Sequence, residues 1–230
     1  MRLNKYISCS GVCSRRKADL LIASGMIEVN GVIVKEMGVD VKEGDVVKYR
    51  GKQLVICSNF EYYILNKPIN FITTCSDDRN RRTVLKLVPN QVRLYPVGRL
   101  DRNTTGLLLL TNDGTLTNKL THPSFKLVKK YNVTLDRAIS ANDENLLKEG
   151  VYLEDGYFKF DKVNISDDRL NINVVMHSGK NRIIRRVFEK LEYRVKALDR
   201  YYYAGLSKGN LGLGRCRELT VDEVKFLKSL

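Results

Sequence analysis

The chain has 230 residues, 43% of them apolar, with 12 Tyr and 7 Phe and no Trp, which is enough material for a folded core and argues against general disorder. Forty Lys and Arg stand against 26 Asp and Glu, and the resulting formal charge of +14 favours polyanionic partners. No apolar run approaches the ~20 residues of a membrane span and MRLNKYIS lacks a secretory leader's apolar core, while five cysteines without a C-x-x-C pair and two distant histidines speak against a disulfide frame or a metal centre, so a reduced cytoplasmic protein without membrane contact is expected.

Residues 2–17 hold the basic residues Arg2, Lys5, Arg15, Arg16 and Lys17 and no acidic one. Leu3, Tyr6 and Ile7 follow helical spacing, and Gly11 interrupts that helix. Ser14 fits the N-cap of a second helix in which Ala18, Leu21 and Ile22 face inward. Three cations in its first turn oppose the helix dipole, by ~0.3–1 kcal/mol each. A bound phosphate would relieve that conflict. Alternating runs follow, with an Asn-Gly turn at Asn30 and Gly31 and a second hairpin turn expected at Glu43 to Asp45. This small unit is expected to span residues 1–56, with a linker at 57–61 and a second domain at 62–230.

The second domain mixes the β-like runs YYIL, LLLLT, YNVTL, FKFDKVNI and LNINVVM with helical patterns in TLTNKLTH, SANDENLLKEG and NRIIRRVFEKLE. Strands outnumber helices and follow one another through tight turns, which predicts an α+β fold with a mostly antiparallel sheet. Within it, GRLDRNTTGLLLLTNDG places Asp101 between Arg99 and Arg102, ahead of a run, Leu107 to Leu110, with the pattern of a strand buried on both faces. On spacing alone, a structural ion pair with either arginine is the simpler account of Asp101. In NRIIRRVFEKLE, the spacing puts Ile184, Val187 and Leu191 on one face and Arg182, Arg185 and Arg186 on another. Arg79, Arg81, Arg82, Lys126, Lys129 and Lys130 are further cations that could line the path of a polyanionic backbone. Tyr201, Tyr202 and Tyr203 read as core and rim packing, His122 as a loop cap, Cys75 as a small core residue, and Asn112 to Gly114 as a turn rather than a metal ligand.

MRLNKYISCSGVCSRRKADLLIASGMIEVNG and GVDVKEGDVV resemble the S4 (α-L) RNA-binding domain. PVGRLDRNTTGLLLLTNDG resembles the signature of the pseudouridine synthases, specifically the ribosomal-RNA group in which an S4 domain precedes the catalytic domain. YYILNKPINFITT is similar to that family's Lys-Pro motif at Lys67 and Pro68, THPSFKLVKKYNV to its tyrosine segment, HSGKNRIIRRVFEKL to its basic helix and GLGRCRELTVDEVKFL to its closing segment. The resemblance covers essentially the whole chain.

It implies a small S4 domain followed by a synthase domain with a mixed, mostly antiparallel sheet flanked by helices. It implies that Asp101 is the essential catalytic aspartate, that Tyr131 stacks on the target base and assists loss of the C5 proton, and that Arg185 pairs with the carboxylate. Arg99 then replaces the flipped nucleotide, and Arg2, Lys5, Arg15, Arg16, Lys17, Arg182 and Arg186 contact RNA. The implied partner is ribosomal RNA, free or in a ribosome assembly intermediate, with neither metal nor organic cofactor, and a monomer is expected. Two positions depart from the pattern: Ile183 stands where a glutamine is common and Asn103 where an acid is frequent. The chemistry gives these residue types independent sense. A carboxylate can act as base or nucleophile, burial disfavours its charged form, and a guanidinium restores it. The rival reading is a non-catalytic RNA-binding or ribosome-assembly factor using the same surfaces.

Overall fold

The computed structural model describes residues 1–89 and 92–230, and the chain parts into two units between Phe60 and Glu61. In the first unit, helices α1 (Leu3–Cys9) and α2 (Arg15–Ala23) precede the short strands β1 (Ile27–Val29), β2 (Val32–Ile33), β3 (Val47–Tyr49) and β4 (Lys52–Gln53). Ser14 caps α2 by accepting from the Lys17 amide at 3.3 Å. The strands form one sheet in the order β2-β1-β3-β4. Leu3, Ile7, Ala18 and Ile22 from the helices bury against Ile27, Val41, Val47 and Leu54. Asn30 and Gly31, both at positive φ, turn the first hairpin as expected. The second hairpin turns instead on Arg50 and Gly51, also both at positive φ. The chain does turn at residues 43–45, with the Asp45 amide donating to the Lys42 carbonyl at 3.3 Å, but ahead of β3 rather than between paired strands. The Asp45 carboxylate accepts there from the Lys42 amide at 2.7 Å and the Asn30 side-chain amide at 2.9 Å. Two-residue turns with positive φ at both positions match strand twist, and Arg50-Gly51 is such a turn with an unusual first residue.

The second unit comprises β5 (Tyr62–Lys67), β6 (Tyr95–Pro96), β7 (Thr105–Thr111), α3 (Gly114–Thr121), β8 (Lys129–Leu135), α4 (Ala141–Glu149), β9 (Val151–Leu153), β10 (Gly156–Phe158), β11 (Lys162–Ile165), β12 (Asn171–Met176), α5 (Ile183–Lys190), β13 (Val195–Tyr203), β14 (Leu206–Ser207), β15 (Cys216–Glu218) and α6 (Val221–Ser229). Its main sheet runs β11-β12-β8-β13-β7-β5-β15, with β14 beside β13 and β6 beside β7. Among these named strands only β7 and β13 pair in parallel. FKFDKVNI does not form one strand: its first residue, Phe158, closes β10, which pairs with β9 in a separate hairpin, and its last four residues form β11.

Helices α2, α3, α4 and α6 start on side-chain caps. Asp113 accepts from the Thr115 and Leu116 amides, so Asn112 to Gly114 is a helix cap and not merely a turn. Ser140 caps α4, and Thr220 with Glu223 forms a reciprocal capping box at α6. Cys75, expected in the core, is exposed. Tyr203 is buried, its hydroxyl donating to the Leu120 carbonyl at 2.7 Å.

Leu107, Leu108, Leu109 and Leu110 are all fully buried. Leu108 and Leu110 join a large core with Val133, Val174 and Phe188, whereas Leu107 and Leu109 join a second core with Leu116, Leu120 and Leu227. Strand β7 is thus the partition between two apolar layers, with helices on both. Its parallel contact with β13 aligns Gly106 with Arg200. Gly106 sits at φ +107, and a Cβ there would lie 2.3 Å from the Arg200 carbonyl oxygen and 2.6 Å from its nitrogen. Only glycine permits that approach. Gly106→Ala should therefore cost about 3 kcal/mol of stability, from positive-φ strain plus overpacking. Urea unfolding would measure it, and a loss within experimental error would show that β7 and β13 can separate without penalty.

Candidate active site

The loop that feeds β7 is held by its backbone oxygens. Thr73 Oγ1 donates to the Leu100 carbonyl at 2.8 Å and accepts from the Leu100 amide at 3.3 Å. The Lys67 ammonium, whose residue has no exposed surface, donates to the carbonyls of Asp101 at 3.0 Å, Thr104 at 2.9 Å, Arg102 at 3.4 Å and Pro68 at 3.0 Å. The Asn70 amide donates to the Arg102 carbonyl at 2.9 Å, and Arg185 Nη2 to the Asn103 carbonyl at 2.9 Å. Every carbonyl from Leu100 to Thr104 is thereby engaged, and the Asp101 side chain projects from a loop with little freedom. Family resemblance supplied the Lys-Pro motif without a role. Its physical role here is to anchor this loop.

Asp101 lies at a cavity of about 400 Å³ whose lining includes Arg99, Tyr131, Arg182, Ile183, Arg185 and Arg200. Tyr131, on β8, is 8% exposed, while Arg99 is exposed. Ile183, one of the two departures from the family pattern, is buried and gives the wall an apolar patch. The other departure, Asn103, contributes its backbone oxygen to Arg185, a contact indifferent to its side chain.

The arginines of the basic helix do not share a face. Arg182 stands just before α5 with positive φ, and its Nη1 lies 3.7 Å from Asp101 Oδ2. Its Nη2 lies 3.8 Å from Glu189 Oε1. Arg185 is buried, with Nη1 donating to the Val195 carbonyl at 3.1 Å. Its expected ion pair with Asp101 is therefore not formed; among the described residues, Arg182 is the cation within ion-pair distance. Burial, and then the neighbouring Arg182 charge, disfavour the charged form of Arg185, while Asp101 and Glu189 favour it. Arg186 turns away into a two-point pair with Asp155, at 2.9 and 3.0 Å. A uniform 3.6-residue period cannot foresee this, because the left-handed residue at Arg182 re-aims the chain before the helix begins. The Asp101–Arg182 pair is partly exposed and is worth about 0–1 kcal/mol by itself. The carboxylate is oriented, not locked away.

Three contributors have roles that the sequence reading did not give them: Lys67 entered only as part of a motif, Lys129 only as one cation along a path, and Arg200 not at all. Lys67 has been described. Lys129, two residues from Tyr131 on β8, donates to the His177 carbonyl at 3.1 Å and the Ser178 carbonyl at 3.0 Å, tying down the segment before α5. Arg200 is 3% exposed and donates through Nε to the Leu107 carbonyl at 2.9 Å. Strand register relates these positions: Lys67 opposes Gly106, Gly106 opposes Arg200, and Arg200 opposes Tyr131. Among the described residues, no group of three or more His, Cys, Asp or Glu side chains gathers as a metal site.

In the first unit, Lys5, Arg15, Arg16 and Lys17 are exposed. Arg2 is engaged locally, donating to the Gly38 carbonyl and lying 3.7 Å from Asp40.

Two outcomes follow from the Lys67 anchor. Lys67→Met should leave the loop carbonyls without their shared donor and lower kcat roughly 100-fold, the usual cost of a misplaced reacting group. Circular dichroism would verify that the fold survives, and unchanged kcat would remove Lys67 from loop positioning. Burial pushes the Lys67 ammonium down to about 8, with the Asp101 charge opposing. The folded chain thus sheds this proton earlier than the unfolded chain does. Between the two values the unfolded state binds more protons, so this group's contribution to stability rises with pH. Turnover should fall as pH passes through about 8, without a parallel fall in melting temperature attributable to Lys67. A melting temperature that drops together with turnover would instead mark unfolding as the cause.

Comparison with known proteins agrees with this geometry. The RNA pseudouridylate synthase family matches residues 61–190 and the S4 domain family matches residues 1–47. The ribosomal large subunit pseudouridine synthase B of Bacillus subtilis (strain 168) is 40% identical over 235 residues, covering 100% of this chain and 96% of its own. The dual-specificity RNA pseudouridine synthase RluF of Escherichia coli (strain K12) is 37% identical, covering 97% of this chain and 77% of its own. A crystal structure of a pseudouridylate synthase aligns over 99% of both chains with a TM-score of 0.72 and 30% identity. A catalytic-sized unit with a carboxylate fixed at a basic cavity, preceded by an S4 domain, thus has its place among known proteins: the chain belongs to the RNA pseudouridylate synthase family.

Proposed function

We propose that this protein isomerises one or a few uridines of ribosomal RNA to pseudouridine, with Asp101 as the acting carboxylate. The observation that carries this reading is the loop 100–104, whose engaged carbonyls hold Asp101 at a cavity that also presents Tyr131 and Arg182.

The reaction breaks the bond from N1 to C1′, turns the base, joins C5 to C1′ and releases the C5 proton. No atom is gained or lost, so the chemistry balances without a co-substrate. The target base must leave its stack, at a cost of a few kcal/mol. Arg99, exposed at the cavity, fills the vacated place in the RNA, and the Tyr131 ring stacks on the base. Asp101 acts on the sugar or the base, with the Arg182 guanidinium 3.7 Å from its Oδ2 as RNA excludes water. Arg185 is a positioning residue in this scheme, acting through the Asn103 carbonyl. Lys5, Arg15, Arg16 and Lys17 on the S4 unit bind phosphates of folded RNA, including RNA within a ribosome assembly intermediate. The protein acts as a cytoplasmic monomer, because the RNA itself supplies the large interface.

Pseudouridine mapping of ribosomal RNA from cells lacking the gene tests the assignment. One or a few sites should vanish and return with the wild-type gene but not with Asp101→Asn. In vitro, Asp101→Asn should abolish turnover and leave RNA affinity within several-fold, because it keeps the shape and removes only the carboxylate. An unchanged map, or rescue by both versions, would support the binding-factor reading.

A further inference from the structure

The Arg200 guanidinium is a buried cation whose hydrogen bonding is incomplete. Its Nε donates to the Leu107 carbonyl and its Cζ lies 4.6 Å from the centroid of the Tyr203 ring, yet its Nη2 is buried with no hydrogen-bond partner. A donor left in that state costs free energy unless something completes it. Arg200 lines the same cavity as Asp101 and Tyr131. Arg200 and Tyr131 are direct register partners on the antiparallel strands β13 and β8. Directly opposed residues emerge side by side on one face of a sheet. A planar base lying on the Tyr131 ring would therefore bring its edge toward the neighbouring guanidinium. Lys129 is not an equivalent candidate, since its ammonium already donates to two carbonyls.

We propose that Arg200 is a catalytic residue that donates from Nη2 to a ring carbonyl oxygen of the flipped uracil and stabilises the charge that develops there during isomerisation. This rests on the synthase reading above. When the bond from N1 to C1′ breaks, its electron pair stays with the base and spreads through the ring amide onto O2 and O4. If an adduct forms on the ring first, the electron pair displaced from the C5–C6 double bond reaches O4. On either route a carbonyl oxygen gains negative charge, no proton need pass from Arg200, and the pair returns to the ring as C5 joins C1′. A fixed cation in a water-poor site favours such a state far more than it favours the neutral ground state. Burial first, and the neighbouring Arg200 charge second, lower the Lys129 ammonium to about 8. The phosphate backbone is the other anionic group of the substrate, but phosphates remain with the strand while the base turns inward.

The test uses a synthetic RNA fragment carrying the mapped uridine, or 2-thiouridine or 4-thiouridine in its place, under single-turnover conditions with the full chain. Sulfur is a poorer acceptor than oxygen. Wild type should lose about 10-fold or more in rate on one of the thio substrates, the scale of a charged hydrogen bond weakened in the transition state. Arg200→Met and Arg200→Lys should be slow on uridine and show that thio penalty reduced or absent, with RNA affinity nearly unchanged. A merely structural arginine would slow all three substrates alike. If Arg200→Met does not fold, Arg200→Lys carries the comparison. No thio penalty in wild type, or the full penalty in a folded variant, overturns the proposal. Failure of wild type to isomerise the unmodified fragment would instead count against the synthase reading.

Discussion

The Lys67 ammonium, buried at the end of β5, gathers the carbonyls of Pro68, Asp101, Arg102 and Thr104 around itself and so fixes the direction in which the Asp101 carboxylate leaves the backbone. Burying a lysine is expensive, and a well-packed apolar residue could fill the same volume more stably. What the cation supplies is convergence: one point of positive charge collects oxygens from a loop that would otherwise present them to water. Thr73 and Arg185 finish the job from either end, at Leu100 and Asn103. The chemistry is left to side chains on a scaffold whose backbone polarity is already satisfied.

The sheet explains how residues far apart in sequence reach that loop. A parallel pair within an otherwise antiparallel arrangement brings β13 against β7, and the missing side chain of Gly106 lets the backbones meet. Thr105 Oγ1 reinforces the seam by donating to Asp199 Oδ1 at 2.8 Å, and Lys208 pairs with the same carboxylate at 2.7 Å. From there, antiparallel pairing with β8 sets Tyr131 beside Arg200. One register row therefore relates the anchor of the loop to the floor of the cavity.

Much of this is legible in the sequence. The Leu107 to Leu110 run declared a doubly buried strand, Asn30-Gly31 a tight hairpin and Ser14 a helix cap, each because the local preference agrees with the tertiary environment. The acid, the tyrosine and the arginine-rich segment stood out through family resemblance rather than through spacing. What stayed hidden was long-range or conformational. Nothing near Lys67 in sequence says that its ammonium will meet carbonyls more than thirty positions away. Arg200 sits in a tyrosine-rich strand that reads as packing, and only strand pairing puts it beside Tyr131. The division of labour among Arg182, Arg185 and Arg186 depends on a left-handed backbone at Arg182, which non-glycine residues adopt only when their surroundings demand it.

Strand β15, Cys216–Glu218, pairs with β5, so the first and last strands of this unit lie side by side. During synthesis, β5 can pair with β7 early but keeps an open edge for some 150 residues, until β15 emerges. The Asn66 amide nitrogen, next to Lys67, waits for the Arg215 carbonyl, and its side chain waits for the Leu211 carbonyl. Completion of the loop's anchorage is thereby deferred until residues 211–218 have emerged, and a nascent chain that stops short of them carries every proposed catalytic side chain yet lacks the strand that pairs beside their support.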